Sequence, residues 1–127
     1  MIPGDLFYTR THEWVRFEPG DDAVIGITHH AQESLGEINF IELPKVGRKV
    51  IASDACAVIE SVKAASDIHA PLTGRVTEVN TTLARDPEKI NRDPYGEGWL
   101  YHLSDCDRSA AENLMTPAQY RQYIAKS

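Results

Sequence analysis

A chain of 127 residues, 42% hydrophobic and 25% charged, can bury one core without disulfide or metal staples. Lys and Arg total 13 against 19 Asp and Glu, a formal net charge of −6. That balance argues against a nucleic-acid partner and against an anionic membrane surface, both of which select a basic face. The segment Met1-Ile2-Pro3-Gly4-Asp5 has neither the charged and apolar regions of a secretory signal nor the Arg/Ser character of a transit peptide. No run approaches a membrane span, so a reducing cytoplasm is the expected location.

The central part of the chain alternates short apolar segments with turn residues at all-β spacing. Strands are expected over Ala23–Ile27, Glu37–Leu43, Lys49–Ala52, Ala55–Ser61, Asp67–Ala70 and Arg75–Val79. The near-continuous apolar run Ala55–Ile59 reads as a strand packed on both faces. Pro71 and Gly74 bracket a tight turn. Between the first two strands, Thr28 caps a short helix through Ala31 to Leu35, which Gly36 stops. Asp86-Pro87-Glu88 reads as a cap followed by proline at the first helical position. Thr116-Pro117-Ala118-Gln119 has the elements of a capping box, and Tyr120, Tyr123 and Ile124 share one face of the helix that follows. The reading is one domain over residues 1–127, mostly β, with small helical additions at its ends.

One side chain stands out. Lys63 is the only Lys or Arg between Lys49 and Arg75. It lies at the tip between two expected strands, in Glu60-Ser61-Val62-Lys63-Ala64. A lysine used as a charge usually has partners at helical spacing or in runs, whereas an acylation target needs exposure and a rigid neighbourhood.

Glu60-Ser61-Val62-Lys63-Ala64 followed by Ala70-Pro71-Leu72-Thr73-Gly74 resembles a lipoyl-attachment site. Biotin carriers usually flank the lysine with methionines; Val62 and Ala64 favour lipoate. Further motifs resemble the glycine cleavage system H protein family. These are Thr11-His12-Glu13-Trp14-Val15, Gly26-Ile27-Thr28-His29-His30-Ala31-Gln32, Leu43-Pro44-Lys45-Val46-Gly47 and Asn91-Arg92-Asp93-Pro94-Tyr95-Gly96-Glu97-Gly98-Trp99. The likeness runs from about Tyr8 to Tyr123. One departure is Ser53-Asp54, where lipoyl-type chains often carry Gly-Asp. The resemblance implies a barrel-sandwich hybrid of lipoyl/biotinyl type with short helices and a C-terminal helix, and a non-catalytic carrier bearing lipoate on Lys63. Its implied partners are a PLP-dependent glycine decarboxylase, a tetrahydrofolate-dependent aminomethyltransferase, a dihydrolipoamide dehydrogenase and a lipoate-attaching enzyme. It assigns Glu60 and Gly74 to recognition during lipoylation, with Gly74 expected at a φ closed to larger residues. It places Thr11, Glu13 and Asp67 in a cleft that shelters a cationic aminomethyl group. From the residues alone, Glu13 also reads as a solvated strand carboxylate.

Rival readings are a biotinyl carrier, a lipoate or octanoate relay, and a small hydrolase or thiol enzyme using Cys56. Cys56 and Cys106 have no metal-ligand spacing, and Cys56 sits in an apolar segment that suits a core residue. The five histidines form no HExxH or paired metal spacing, and His29-His30 reads as cover for the short helix. No GxGxxG or Walker pattern occurs, so nucleotide binding is not supported. Pro94-Tyr95-Gly96-Glu97-Gly98-Trp99 reads either as an aromatic binding surface or as a turn anchored by two rings.

Overall fold

The computed structural model describes residues 2–126 and arranges their strands in two antiparallel sheets. The larger sheet has the order β1 (Phe7–Tyr8), β2 (Glu13–Phe17), β3 (Ala23–Ile27), β9 (Tyr101–Ser104), β8 (Gly74–Val79) and β5 (Lys49–Val50). The smaller has β4 (Ile38–Glu42), β6 (Ala55–Ser61) and β7 (Ala65–His69). The expected mostly-β architecture is met, and β3 and β6 have the expected bounds. Strands β1 and β9 lie outside the alternating middle of the chain and were not anticipated, and of β2 only Glu13 reads as a strand residue from the sequence. No helix among the described residues is long and apolar enough to cross a membrane.

Two apolar clusters hold the sheets. The first fills the space between them and includes Val15, Ile25, Ile27, Ile59, Leu72 and Leu103. The second lies on the other side of β2 and β3, where Trp14 and Val24 meet Leu6, Tyr8 and Tyr120. Alternate residues of β2 and β3 therefore face different clusters, and all five residues of β3 are buried. The doubly buried strand is β3, not β6. In β6, Ala55 is exposed and Val58 only half-buried, because no second layer covers the outer face of the small sheet.

The second cluster is closed by α3 (Pro117–Ala125). Thr116 accepts from the Gln119 amide, and the Gln119 side chain accepts from the Thr116 amide, completing the expected capping box. Tyr120 is fully buried and its ring stacks on Tyr8 with centroids 4.6 Å apart. Such a pair contributes about 0.5–1.5 kcal/mol beyond area burial. Tyr95 and Trp99 pack against this cluster, so the Pro94–Trp99 turn is anchored by its rings. Helix α1 (His29–Leu35) has the expected Thr28 cap and Gly36 stop. Helix α2 (Lys89–Arg92) departs from expectation. Its N-cap is Glu88, without a side-chain cap, and Asp86 instead pairs with Arg92 at 2.5 Å.

Two backbone positions also differ from the reading by residue type. Gly74 does not have a positive φ. Its constraint is space: a Cβ there would lie 2.8 Å from the Ser104 carbonyl oxygen and 3.2 Å from Cys106 Sγ. Ser53, at the position where glycine is common, has φ +80°. We expect Gly74→Val to cost about 1–3 kcal/mol through overpacking. Ser53→Gly should gain about 0.5–1 kcal/mol by removing left-handed strain from an L-residue. Urea denaturation of the two variants checks both signs.

His12 joins the ends of the chain. Its Nδ1 lies 2.7 Å from the Tyr120 hydroxyl, which also meets Thr28 Oγ1 at 2.8 Å. The His12 and His30 rings are 4.6 Å apart. Burial first, and then the neighbouring His30, hold the His12 pKa below its ordinary 6.5. A depressed histidine pKa means that the unfolded chain binds the proton more tightly, so this contribution to stability is complete above pH 6.5 and is lost as the pH falls below it. Thermal melts between pH 7.5 and 5 should show this loss. His12→Asn, which tolerates the positive φ of this position (+71°), should show a shallower slope.

Candidate functional site

Strands β6 and β7 form a hairpin in which Glu60 pairs with Ala65, leaving Ser61 to Ala64 as the turn. The turn is held from three directions. Ser61 Oγ accepts from the amides of Lys63 (3.3 Å) and Ala64 (3.1 Å). The Ser61 amide donates to the Ala64 carbonyl at 2.8 Å, and the Val62 amide donates to the Glu37 carbonyl at 3.1 Å. Lys63 is exposed, and its amine makes no ion pair among the described residues. A rigid backbone thus presents a free primary amine.

The stem of Lys63 crosses Gly36. A Cβ on Gly36 would sit 3.3 Å from Lys63 Cε, and Gly36 has φ +79° and ψ −155°, a region closed to other residues. Asn91 fixes this floor. Its Nδ2 donates to the Gly36 carbonyl and to Gln32 Oε1, both at 2.8 Å, while its Oδ1 accepts from the Ile38 amide at 3.0 Å. Neither residue was singled out from the sequence as part of the site. A usable signal was Gly36 directly before a strand whose partner carries the tip lysine.

Glu13, on β2, is fully buried. The reading as a solvated carboxylate is therefore wrong. Its Oε1 accepts from the hydroxyls of Thr9 and Thr11, and its Oε2 accepts from the His69 amide at 3.1 Å. The loop that delivers the hydroxyls is itself tied down, with the Glu13 amide donating to Thr9 Oγ1 at 3.0 Å. Thr11 and Glu13 border a hollow of about 580 Å³, also lined by Ser53, His69, Met115 and Gln119. Thr9 was missed, although a hydroxyl two residues before Thr11 and four before Glu13 was visible in the sequence.

Asp67 does not join them. It lines a separate hollow of about 310 Å³ with Glu42, Arg48 and Cys56. The expected three-residue cleft is thus divided. The cause is the ladder: Asp67 lies opposite Val58 on the outer face of the small sheet, and a β-bulge at Ala55/Ala57 intervenes before His69. Glu60 is exposed in the pair that closes the turn, and Gly74 is buried against β9.

The thiols are placed as core groups. Cys56 and Cys106 are buried and free. Cys56 Sγ lies 3.3 Å from the Tyr101 hydroxyl, and burial raises its pKa. Burial, followed by nearby carboxylates, pushes Cys106 up to about 11. Neither is poised as a nucleophile at neutral pH.

Known proteins fit this geometry closely. The family model described as glycine cleavage H-protein matches residues 6–127. The glycine cleavage system H protein of Rubrobacter xylanophilus is 56% identical over 123 residues, covering 97% of this chain and 94% of that one. That of Halorhodospira halophila is 51% identical over 125 residues, covering 98% and 96%. The crystal structure of a glycine cleavage system H protein from Mycobacterium marinum superposes with a TM-score of 0.88 at 41% identity, covering 98% of this chain and 99% of that one. With its two antiparallel sheets, its hairpin-tip lysine and a match across nearly its whole length, this chain belongs to the glycine cleavage H-protein family.

Proposed function

We propose that this protein is the non-catalytic lipoyl carrier of a glycine cleavage system, acting as one domain with lipoate in amide linkage on Lys63. The observation that carries the reading is the exposed, unpaired Lys63 amine on a hairpin turn braced by Ser61 and Glu37, in a chain of this family. When attached, the dithiolane supplies a reversible disulfide able to take up two electrons and a one-carbon amine fragment. The protein's own part is to present, restrain and shelter the arm. A flexible arm on a rigid tip raises effective concentration at each enzyme it visits. In this reading those enzymes are a PLP-dependent glycine decarboxylase, a tetrahydrofolate-dependent aminomethyltransferase and a dihydrolipoamide dehydrogenase, all cytoplasmic, with a lipoate-attaching enzyme acting once.

Thr11 and Glu13 suit a resting place for a cationic amine. A carboxylate offers about four lone-pair sites, and three protein donors occupy Glu13. The carboxylate is buried with His69 Nδ1 3.9 Å from Oε2, so an ammonium in the neighbouring hollow meets the exposed Thr11 hydroxyl first, with Glu13 behind it. Asp67, on the other hollow, has no part in that resting place. Glu60 stands where an attaching enzyme meets the tip and offers it a negative charge.

Intact mass of protein made in a lipoate-replete host should show one lipoyl adduct located on Lys63; a biotinyl adduct or none would sink the reading. Lys63→Arg keeps the charge without an acylatable amine, so it should fold normally, stay unmodified and support no glycine–CO2 exchange. Glu60→Gln should melt at the wild-type temperature yet be lipoylated more slowly, and an unchanged rate would return Glu60 to a solvated strand residue. Glu13→Gln weakens charge-assisted hydrogen bonds and sets an amide against protein donors. It should cost about 1.5–3 kcal/mol in urea denaturation, with lipoylation of Lys63 unaffected.

A further inference from the structure

The stem of Lys63 lies flat on one glycine. The point where a Cβ of Gly36 would stand is 3.3 Å from Lys63 Cε, 3.8 Å from Nζ and 3.9 Å from Cδ. A side chain at that position would lift the stem, and a φ of +79° disfavours one. The place of Gly36 is set from α2. Ile90 is fully buried in the core and anchors that helix, and the next residue, Asn91, turns its amide toward the end of α1. There it grips the chain on both sides of Glu37. Its Nδ2 donates to the Gly36 carbonyl at 2.8 Å, and its Oδ1 accepts from the Ile38 amide at 3.0 Å. Between them, the Glu37 carbonyl accepts from the Val62 amide of the tip at 3.1 Å. These backbone groups settle which way the Asn91 amide points, since a carbonyl must meet an N–H and an N–H must meet an oxygen. Gln32, itself buried, then presents Oε1 to Asn91 Nδ2 at 2.8 Å, which leaves its Nε2 for His29 Nδ1 at 3.0 Å. Both N–H groups and the oxygen of Asn91 are used, so its amide has one pose.

Resting on the carrier reading for what is attached, we propose that Asn91 is a positioning residue for Lys63: by holding Gly36 and Glu37 it sets the direction in which the amine leaves the tip. It acts through the backbone it grips. The braced turn alone would leave the long stem most of its rotamers. The surface of Gly36 confines the stem to the side of the hairpin that faces α1 and the start of β4. An acyl donor then meets the amine along one line of approach. The rate of acyl transfer depends on that orientation, whereas binding of the tip does not. The signature of Asn91 is therefore a change in kcat for attachment with KM unaltered. Glu60 differs, because a charge read on encounter acts on KM.

The test uses the full chain, first unmodified and isotopically labelled for NMR, then as the varied substrate of the lipoate-attaching enzyme. Wild type should show a nuclear Overhauser contact between Lys63 Hε and Gly36 Hα. Asn91→Ala should lose it, and kcat for lipoylation should fall about fivefold with KM within about twofold. Gly36→Ala, which puts a methyl under the stem with Asn91 intact, should reproduce the fall in kcat. Asn80→Ala is the control. Asn80 is another buried asparagine, which donates to the Glu97 and Trp99 carbonyls at 2.9 and 2.8 Å. Its loss should lower the melting temperature to a similar degree and change neither the contact nor either constant. Absence of the contact in wild type would overturn the positioning role, even if Asn91→Ala fails to fold. So would wild-type kcat in Asn91→Ala or in Gly36→Ala. Equal falls in kcat for Asn91→Ala and Asn80→Ala would overturn it as well, by tracing the effect to stability. A wild type that shows the contact but that no attaching enzyme modifies would remove the carrier reading and leave the hold of Asn91 on the stem standing.

Discussion

A buried carboxylate ties the two sheets of this molecule together. Glu13 belongs to the large sheet, while His69, whose amide it accepts, ends the last strand of the small one. Burying a polar side chain without partners is costly, and Thr9, Thr11 and the His69 amide all donate to Glu13, with the His69 ring 3.9 Å away. Those donors come from two elements, and the arrangement exists only when both sheets are in place. Removing any one donor leaves the charge under-satisfied, which makes the joint cooperative. The hairpin bearing Lys63 springs from the same strand, so the pose of the tip depends on a contact at the far end of β7.

The rest of the architecture serves to keep that joint dry on one side and open on the other. Tyr8 and Trp14 flank the Thr9–Glu13 loop, and Tyr120 stacks on the first of them. The hydroxyl of Tyr120 reaches His12 and Thr28, so α3 and the start of α1 are tied to the same loop. Burial raises the Tyr120 pKa to about 12, which keeps the hydroxyl protonated and able to donate at any physiological pH. The C-terminal segment thus forms one wall of the larger hollow through Met115 and Gln119. It is a structural part of the candidate site and not an appendage to a finished barrel.

Elements written in local chemistry were legible. The Thr28 and Thr116 caps, the Gly36 stop and the bounds of β3 and β6 follow from side-chain hydrogen bonding, backbone freedom and apolar runs. Features set by distant neighbours were not. Strand β2 carries Glu13 and Arg16 beside Trp14 and Val15, and the burial of Glu13 rests on hydroxyl and amide partners from Thr9, Thr11 and His69 that its own segment does not announce. Gly74 reads as a turn residue in isolation, yet its limit is the Ser104 carbonyl thirty positions away. Asp67 and His69 alternate as if to share a face, and a bulge on the neighbouring strand separates their surroundings. Asp86 offered a cap and found Arg92 instead, because an exposed carboxylate takes the nearest charge-assisted donor.

The chain's two thiols matter most for what they cannot do. Thiol–disulfide exchange needs a thiolate with access to the disulfide sulfur. Cys56 is buried at the lining of the smaller hollow with its thiol beside the Tyr101 hydroxyl and its pKa raised by burial, and Cys106 is held protonated far above neutral pH beneath β8. A disulfide displayed on this protein's surface therefore meets no nucleophile of its own chain. Internal capture, which would strand such a group in a mixed disulfide, is opposed by burial and by the raised pKa of both thiols. The scaffold is redox-silent, and every exchange partner has to come from outside it.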